Sequence, residues 1–243
     1  MKNVCIIQAR MGSTRLPGKV MMPLDGRPVL HHVIERVSRS KRLDDIVIAT
    51  THKAEDDLLV EECERLNVHY SRGSELDVLS RYIEAAEQFN ADIITRVTSD
   101  CPLIDPAIID LVLETRENEN ADYASLSGPR SYPRGLDNEA FTMESFRKVA
   151  KKATAEYERV HVTPYYYLHE DEFRMAHVHQ ADDFSNLRWT LDTPDDYKAL
   201  SMIFDKFKGR NDMNWREVLD IVQKHPEITA ANAHIEQKKL EDL

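Results

Sequence analysis

Val4-Cys5-Ile6-Ile7-Gln8-Ala9-Arg10-Met11-Gly12-Ser13-Thr14-Arg15-Leu16-Pro17-Gly18-Lys19 is an apolar run that breaks into a cationic, glycine-punctuated loop. Val4 to Ile7 read as a buried strand, and Gly12, Pro17 and Gly18 forbid regular structure after it. Arg10, Arg15 and Lys19 are therefore expected on a loop at a strand's carboxyl end, where open α/β sheets bind their ligands.

A polyanion fits this loop better than a solvated surface role. Gly12 lets backbone N–H groups approach phosphate oxygens, while two guanidinium forks and one ammonium neutralise charge. The loop is not a Walker A motif, because five residues separate Gly12 from Gly18 and Val20 follows Lys19. It is not a Rossmann fingerprint either, since Gly12 has no partner glycine two residues away.

Working outward, Pro28 to Ser38 carries Val29, Leu30, Val33, Ile34 and Val37 at helical spacing, and Asp45 to Thr50 holds the strand Ile46-Val47-Ile48-Ala49. Ala54 to Leu66 reads as a helix, Val68 to Tyr70 as a short strand, Asp77 to Phe89 as a helix and Ile93 to Thr98 as a central strand. This alternation, running to about residue 126, predicts an α/β fold: a mostly parallel twisted sheet, helices on both faces, right-handed crossovers. Between Gly128 and Gln180 the rhythm changes around Pro129, Pro133 and Gly135, with a helix from Met143 to Ala153 and an aromatic stretch from Tyr157 to Tyr167. We read one α/β domain over residues 1–243, with 128–182 as an inserted acceptor subdomain. Leu187 to Leu191 looks like a returning strand, Pro194 suits the first turn of a helix to Phe207, Met213 to Lys224 gives a last helix with an Asn-Trp start, and the tail is polar.

The 243 residues, 42% of them hydrophobic, suffice for a substantial core. A net charge of -11 argues against general nucleic-acid binding, which needs a basic face, but leaves room for a local anion site. No apolar run approaches the roughly 18–20 residues of a membrane span, and the N-terminus enters a strand, so a cytoplasmic protein with no membrane partner is expected. Cys5, Cys63 and Cys101 form no Cys-x-x-Cys pair, which predicts reduced thiols, and no histidine spacing, His177 and His179 included, compels a metal site.

A second constellation is Arg96-Val97-Thr98-Ser99-Asp100-Cys101-Pro102-Leu103-Ile104-Asp105, a strand that ends in a carboxylate and is stopped by proline. Asp100 is expected at the same sheet edge as the cationic loop, where Mg²⁺ bridging nucleotide phosphates takes one or two protein carboxylates. Arg188-Trp189-Thr190-Leu191-Asp192-Thr193-Pro194-Asp195-Asp196 repeats this grammar and offers Asp192, with Asp195 and Asp196 supporting the following helix N-terminus. Arg134, Gly135, Asp137 and Glu139, then Glu158, Arg159, His161 and Tyr165, could bind sugar hydroxyls and a carboxylate.

Gln8 to Lys19 closely resembles the signature loop of the sugar-acid cytidylyltransferases, the superfamily of acylneuraminate and keto-deoxy-octulosonate activating enzymes, nearest its spore-coat polysaccharide branch. The resemblance implies a nucleotide-diphospho-sugar-transferase-like fold, a homodimer with the inserted subdomain 128–182 as its dimerisation contact, and Mg²⁺-dependent transfer of CMP from CTP to a sugar acid. It implies Asp100 and Asp192 as metal ligands, and places Arg72, Asp77 and Arg81 near the nucleotide. The expected nucleotide-binding set is Ala9, Arg10, Met11, Gly12, Ser13, Arg15, Lys19, Arg72, Asp77, Arg81 and Thr98; Arg10, Lys19 and Asp100 are the expected catalytic residues. Arg134, Glu139, His161 and Tyr165 are expected on the acceptor, although Val160 stands where the family pattern has an acid. Two alternatives stay open. One is a glycosyltransferase of the same architecture, although Ser99-Asp100-Cys101 lacks the second carboxylate of an Asp-x-Asp motif. The other is a non-catalytic nucleotide-binding partner. The general base and the acceptor sugar are likewise open.

Overall fold

A computed structural model describes residues 1–237, so the end of the expected polar tail lies outside the described residues. The strands are β1 (Asn3–Gln8), the two-residue β2 (Pro23–Leu24) and β3 (Arg27–Pro28), β4 (Asp45–Thr51), β5 (His69–Gly73), β6 (Ile93–Thr98), β7 (Tyr123–Ser125), β8 (Glu139–Thr142) and β9 (Met175–His177). All but β2 and β3 form one seven-stranded sheet in the order β5-β4-β1-β6-β8-β7-β9, parallel except for β8. The helices are α1 (Val29–Val37), α2 (Asp57–Leu66), α3 (Val78–Gln88), α4 (Pro106–Asn118), α5 (Met143–Lys152), α6 (Glu156–His161), α7 (Pro164–Leu168), α8 (Pro194–Phe207), α9 (Trp215–Lys224) and α10 (Pro226–Asn232).

Successive side chains of a strand point to opposite faces, and both faces of this sheet are covered. Cys5 and Ile7 of β1 pack into a core with α1, α2, α4, α8 and α9. Val4 and Ile6 enter the opposite core, built on α3, α5 and α7 around Tyr82, Phe141, Phe146 and Tyr166. Because the parallel strands run one way, Gln8, Thr51, Gly73, Thr98, Ser125 and His177 all end at one sheet edge, and every candidate loop emerges there.

Residues 128–182 thread β8 and β9 into this same sheet and lay α5 to α7 on its second face. The returning strand expected at Leu187–Leu191 is absent; the segment is extended but makes a single bridge, Arg134 to Arg188. Its neighbouring segment is broken by Pro133 and by Gly135 at φ +103°, so no ladder can extend past one register position. The tail after Lys224 is not merely polar: His225-Pro226 opens α10, whose Ile228 is buried in the core. No helix among the described residues is long and apolar enough to cross a membrane.

Candidate active site

The loop after β1 folds back on itself. Ser13 and Gly18 both donate backbone N–H bonds to Met11 O, at 2.8 and 2.9 Å, and Gly18 takes φ +69°, a left-handed conformation that glycine adopts without strain. The N–H of Met11 donates to Oδ1 of the buried Asp56 at 2.7 Å, whose other oxygen accepts from the Thr51 hydroxyl at the end of β4. The loop is thereby pinned to the neighbouring strand.

Lys19 then reaches across the sheet edge. Its Nζ lies 2.8 Å from Asp100 Oδ2, 2.9 Å from Asp192 Oδ1 and 2.7 Å from the Leu191 carbonyl oxygen. Arg15 Nη2 stands 2.9 Å from the same Asp192 Oδ1. Two carboxylates separated by 92 positions in the chain thus meet the cationic loop at one ammonium. Thr98 donates its hydroxyl to Asp100 Oδ1 at 2.6 Å, which leaves Oδ2 for Lys19.

Asp192 is fixed from behind. Arg188 Nη2 donates to Asp192 Oδ2 at 2.8 Å and its Nε to Asp196 Oδ1, also at 2.8 Å. Asp196 caps α8 through a reciprocal box with Thr193, and Asn232 of α10 donates to Asp196 Oδ1 at 2.9 Å and to Arg188 O at 3.0 Å. Burial disfavours the Asp192 charge, but Lys19, Arg15 and Arg188 outweigh it and hold its carboxyl below the ordinary aspartate value. Burial likewise works against the Lys19 ammonium, and Asp100 and Asp192 together raise its pKa above that of free lysine.

The other expected residues divide. Arg10 turns instead to Glu75 at 3.4 Å, a carboxylate shared with Lys53. Arg72 is spent on Thr51 O, Lys53 O and Asp57, and Arg81 is buried with Nη1 on Ser74 O. Asp77 caps α3 and bonds the Arg159 guanidinium. Arg134 is half-buried beside the Trp189 backbone, and burial, with Arg130 nearby, lowers its pKa. Glu139 is engaged by Arg96, Tyr123 and Thr163, and Tyr165 is buried with its hydroxyl 3.3 Å from Glu172. His161 is half-buried near Arg96. Cys101 is buried, and burial with the Asp100 charge beside it pushes its thiol well up, which suits packing and not nucleophilic attack.

Arg188, Asn232 and Asp56 carry the site without having been singled out. Arg188 was visible as a cation four and eight positions before two aspartates. Asn232 and Asp56 carried no local signal, because only the fold brings them to their partners.

Among the described residues no group of three or more His, Cys, Asp or Glu side chains could hold a metal. The oxygens converging on Lys19 Nζ come from two carboxylates and one carbonyl, all hard donors. Such a set suits Mg²⁺ shared with substrate phosphates and does not suit an ion needing a complete protein cage.

An open α/β sheet with a cationic loop facing two aspartates at its carboxyl edge is the build of a nucleotidyltransferase. The chain belongs to the cytidylyltransferase family, whose model matches residues 4–233. It is 31% identical to the spore coat polysaccharide biosynthesis protein SpsF of Bacillus subtilis, over 91% of this chain and 94% of that one. It is 36% identical to the 3-deoxy-manno-octulosonate cytidylyltransferase of Trichlorobacter lovleyi, over 47% of this chain and 44% of that one. Among solved structures, a cytidylyltransferase from Leptospira borgpetersenii superposes with a TM-score of 0.91 at 33% identity, covering 98% of this chain and all of that one.

Proposed function

We propose that this protein transfers CMP from CTP to a sugar acid, with release of pyrophosphate, to supply cell-surface or spore-coat polysaccharide synthesis. One observation carries the reading: Lys19 joins Asp100 to Asp192 at 2.8 and 2.9 Å, with Arg15 on the same aspartate. Cations and carboxylates so interleaved serve a nucleoside triphosphate and its divalent ion together.

Arg15 and Lys19 neutralise the triphosphate, and Arg10 approaches it from the Glu75 side. Asp100 and Asp192 would hold Mg²⁺, which when bound offsets charge on the phosphates and aligns the oxygens that attack and leave. Arg134 offers a cation to the acceptor carboxylate, and His161 a neutral imidazole to its hydroxyls, since burial and then Arg96 lower the His161 pKa. The acceptor's anomeric hydroxyl attacks the α-phosphorus in line; a bond to that oxygen forms as the bond to pyrophosphate breaks, and the hydroxyl proton is lost to solvent.

The test is pyrophosphate release with each of the four nucleoside triphosphates, with and without Mg²⁺, across a panel of octulosonic and nonulosonic acids. Release is expected with CTP, Mg²⁺ and one acceptor class. Tight CTP binding with no release across the panel would favour a non-catalytic nucleotide-binding protein.

A further inference from the structure

The Lys19 ammonium stands where a divalent cation shared by the two aspartates would have to stand. Asp100 Oδ2, Asp192 Oδ1 and the Leu191 carbonyl oxygen converge on its Nζ at 2.8, 2.9 and 2.7 Å. These are hard oxygen donors of the kind Mg²⁺ takes from a protein. An ion held by both carboxylates at once must lie between them, and Nζ lies there. Two cations cannot share that point.

The two carboxylates do not depend on Lys19 for their positions. Asp100 receives the Thr98 hydroxyl on its other oxygen at 2.6 Å, and Asp192 receives Arg188 Nη2 on its other oxygen at 2.8 Å. The Lys19 backbone is fixed as well: its N–H donates to Leu16 O at 3.2 Å, and the next residue, Val20, is buried in the core. What can move is the flexible lysine stem and the ammonium at its end. Asp100, Asp192 and Asp196 are balanced, charge for charge, by Lys19, Arg15 and Arg188. A divalent ion arriving alone adds positive charge to a set already neutral. A triphosphate brings the compensating negative charge and offers the ammonium new oxygens.

We propose that the Lys19 ammonium is the built-in counter-ion of the Asp100–Asp192 pair: it keeps a lone divalent cation off both carboxylates and yields the point only when a triphosphate draws it away. This is regulation of the site read above as one of CMP transfer, and it rests on that reading. It sets an order of events, in which the divalent ion joins the carboxylates with the nucleotide or after it, and not before.

The test measures Mn²⁺, a spectroscopic stand-in for Mg²⁺, bound by the full chain without nucleotide, through the electron paramagnetic resonance signal of the free ion. Lys19→Gln, which keeps an N–H donor for the carboxylates, is expected to bind Mn²⁺ about tenfold or more tightly than the parent, because apparent affinity falls with the fraction of time a site stands open. Lys53→Gln removes the same charge from a lysine that pairs with Glu75 instead, and should bind as the parent does. Adding Asp192→Asn to Lys19→Gln should abolish the gain. A measurement on the parent covers a Lys19→Gln chain that does not fold: the side-chain NMR resonance of the buried Lys19 ammonium should hold through millimolar Mg²⁺ and shift when CTP is added in EDTA. Equal Mn²⁺ binding by the parent and Lys19→Gln, a matching gain in Lys53→Gln, a gain that survives Asp192→Asn, or an ammonium that shifts with Mg²⁺ alone would overturn the proposal. So would an ammonium unmoved by CTP in a parent that does release pyrophosphate. Should Lys19→Gln gain Mn²⁺ affinity while the parent releases no pyrophosphate, the CMP-transfer reading fails and the exchange at the carboxylates stands.

Discussion

Arg188 and Asp192 form a buried pair, 2.8 Å from Nη2 to Oδ2, and the same guanidinium bonds Asp196 through Nε. One arginine thus fixes one oxygen of the carboxylate and leaves Oδ1 turned to Lys19 and Arg15. Lysine cannot reproduce this fork, because its ammonium is a point charge on a flexible stem. Arg188→Lys should therefore keep the fold and, if Asp192 holds Mg²⁺ as proposed, lower CTP turnover roughly 10- to 100-fold, the cost of losing support behind a metal-binding carboxylate. Steady-state pyrophosphate release against Mg²⁺ concentration checks it, and a parent-like Mg²⁺ dependence would remove Arg188 from the site.

Asp100 is held by Thr98 at 2.6 Å and by Lys19 at 2.8 Å, so an amide of the same shape can occupy its place. Asp100→Asn should fold, with an unchanged circular dichroism spectrum. It should lose Mg²⁺-dependent turnover by a factor on the order of 100 or more, since it removes charge where charge is handled. Near-normal turnover would take Asp100 out of the proposed metal site.

Much of this was legible in the sequence, for identifiable reasons. β6 was expected over Ile93–Thr98 and is found there, because an apolar β-branched run ending in Asp-Cys-Pro leaves little freedom. Asn214 was read at the start of α9 and caps it in a reciprocal box with Glu217. The antiparallel β8 was not read, being four residues whose pairing with β6 and β7 depends on long-range contacts. Nor could Val162 be placed in a γ-turn, since a β-branched residue is the opposite of the usual sign for positive φ. Arg15, Lys19, Asp100 and Asp192 were read as one site and stand together, while Arg72 and Asp77, read beside them, are engaged in the β4–α2 and α3 connections.

Asp56 offers a test of the loop itself. It is 1% exposed and accepts from both the Met11 backbone and Thr51. Asp56→Ala would leave the Met11 N–H and the buried Thr51 hydroxyl without their acceptor, at about 1–3 kcal/mol for the buried donor left unpaired. The expected result is a raised KM for CTP with a smaller change in KM for the acceptor, measured by varying each substrate at saturation of the other. Equal changes in both would mean general loosening.

The same ion network sets an acid limit on stability. Burial works against the charges of Asp192 and Asp196. For Asp192 the neighbouring cations prevail, and for Asp196 Arg188 and Asn232 do, so both folded pKa values lie below the ordinary 3.8. Groups with depressed folded values stabilise the protein fully above the unfolded value and lose that contribution as pH falls through the folded one. Urea midpoints should hold near neutral pH and drop below pH 3.8, and Asp196→Asn should show a shallower drop from a lower plateau. An unchanged slope in that variant would contradict the pairing.

Gly135 carries the last prediction because two backbones meet there. At φ +103°, a Cβ on Gly135 would lie 2.6 Å from both the carbonyl carbon and oxygen of Trp189 and 3.0 Å from Thr190 N. These atoms cannot turn aside as a flexible side chain can, so Gly135→Ala must push the Trp189–Asp192 segment outward. That segment aims Asp192, with Leu191 N–H anchored on Asp100 O at 2.8 Å. Gly26, also at positive φ (+76°), has nothing within 4 Å of its would-be Cβ and serves as the control. Gly26→Ala should cost only about 1–2 kcal/mol of left-handed strain and keep full turnover. Gly135→Ala should cost at least about 1–3 kcal/mol more, from overpacking, and lose turnover in proportion to the displacement of Asp192. Chemical denaturation and pyrophosphate release on the two variants side by side measure both, and equal turnover in the two would show that the close approach at Trp189 does not aim Asp192.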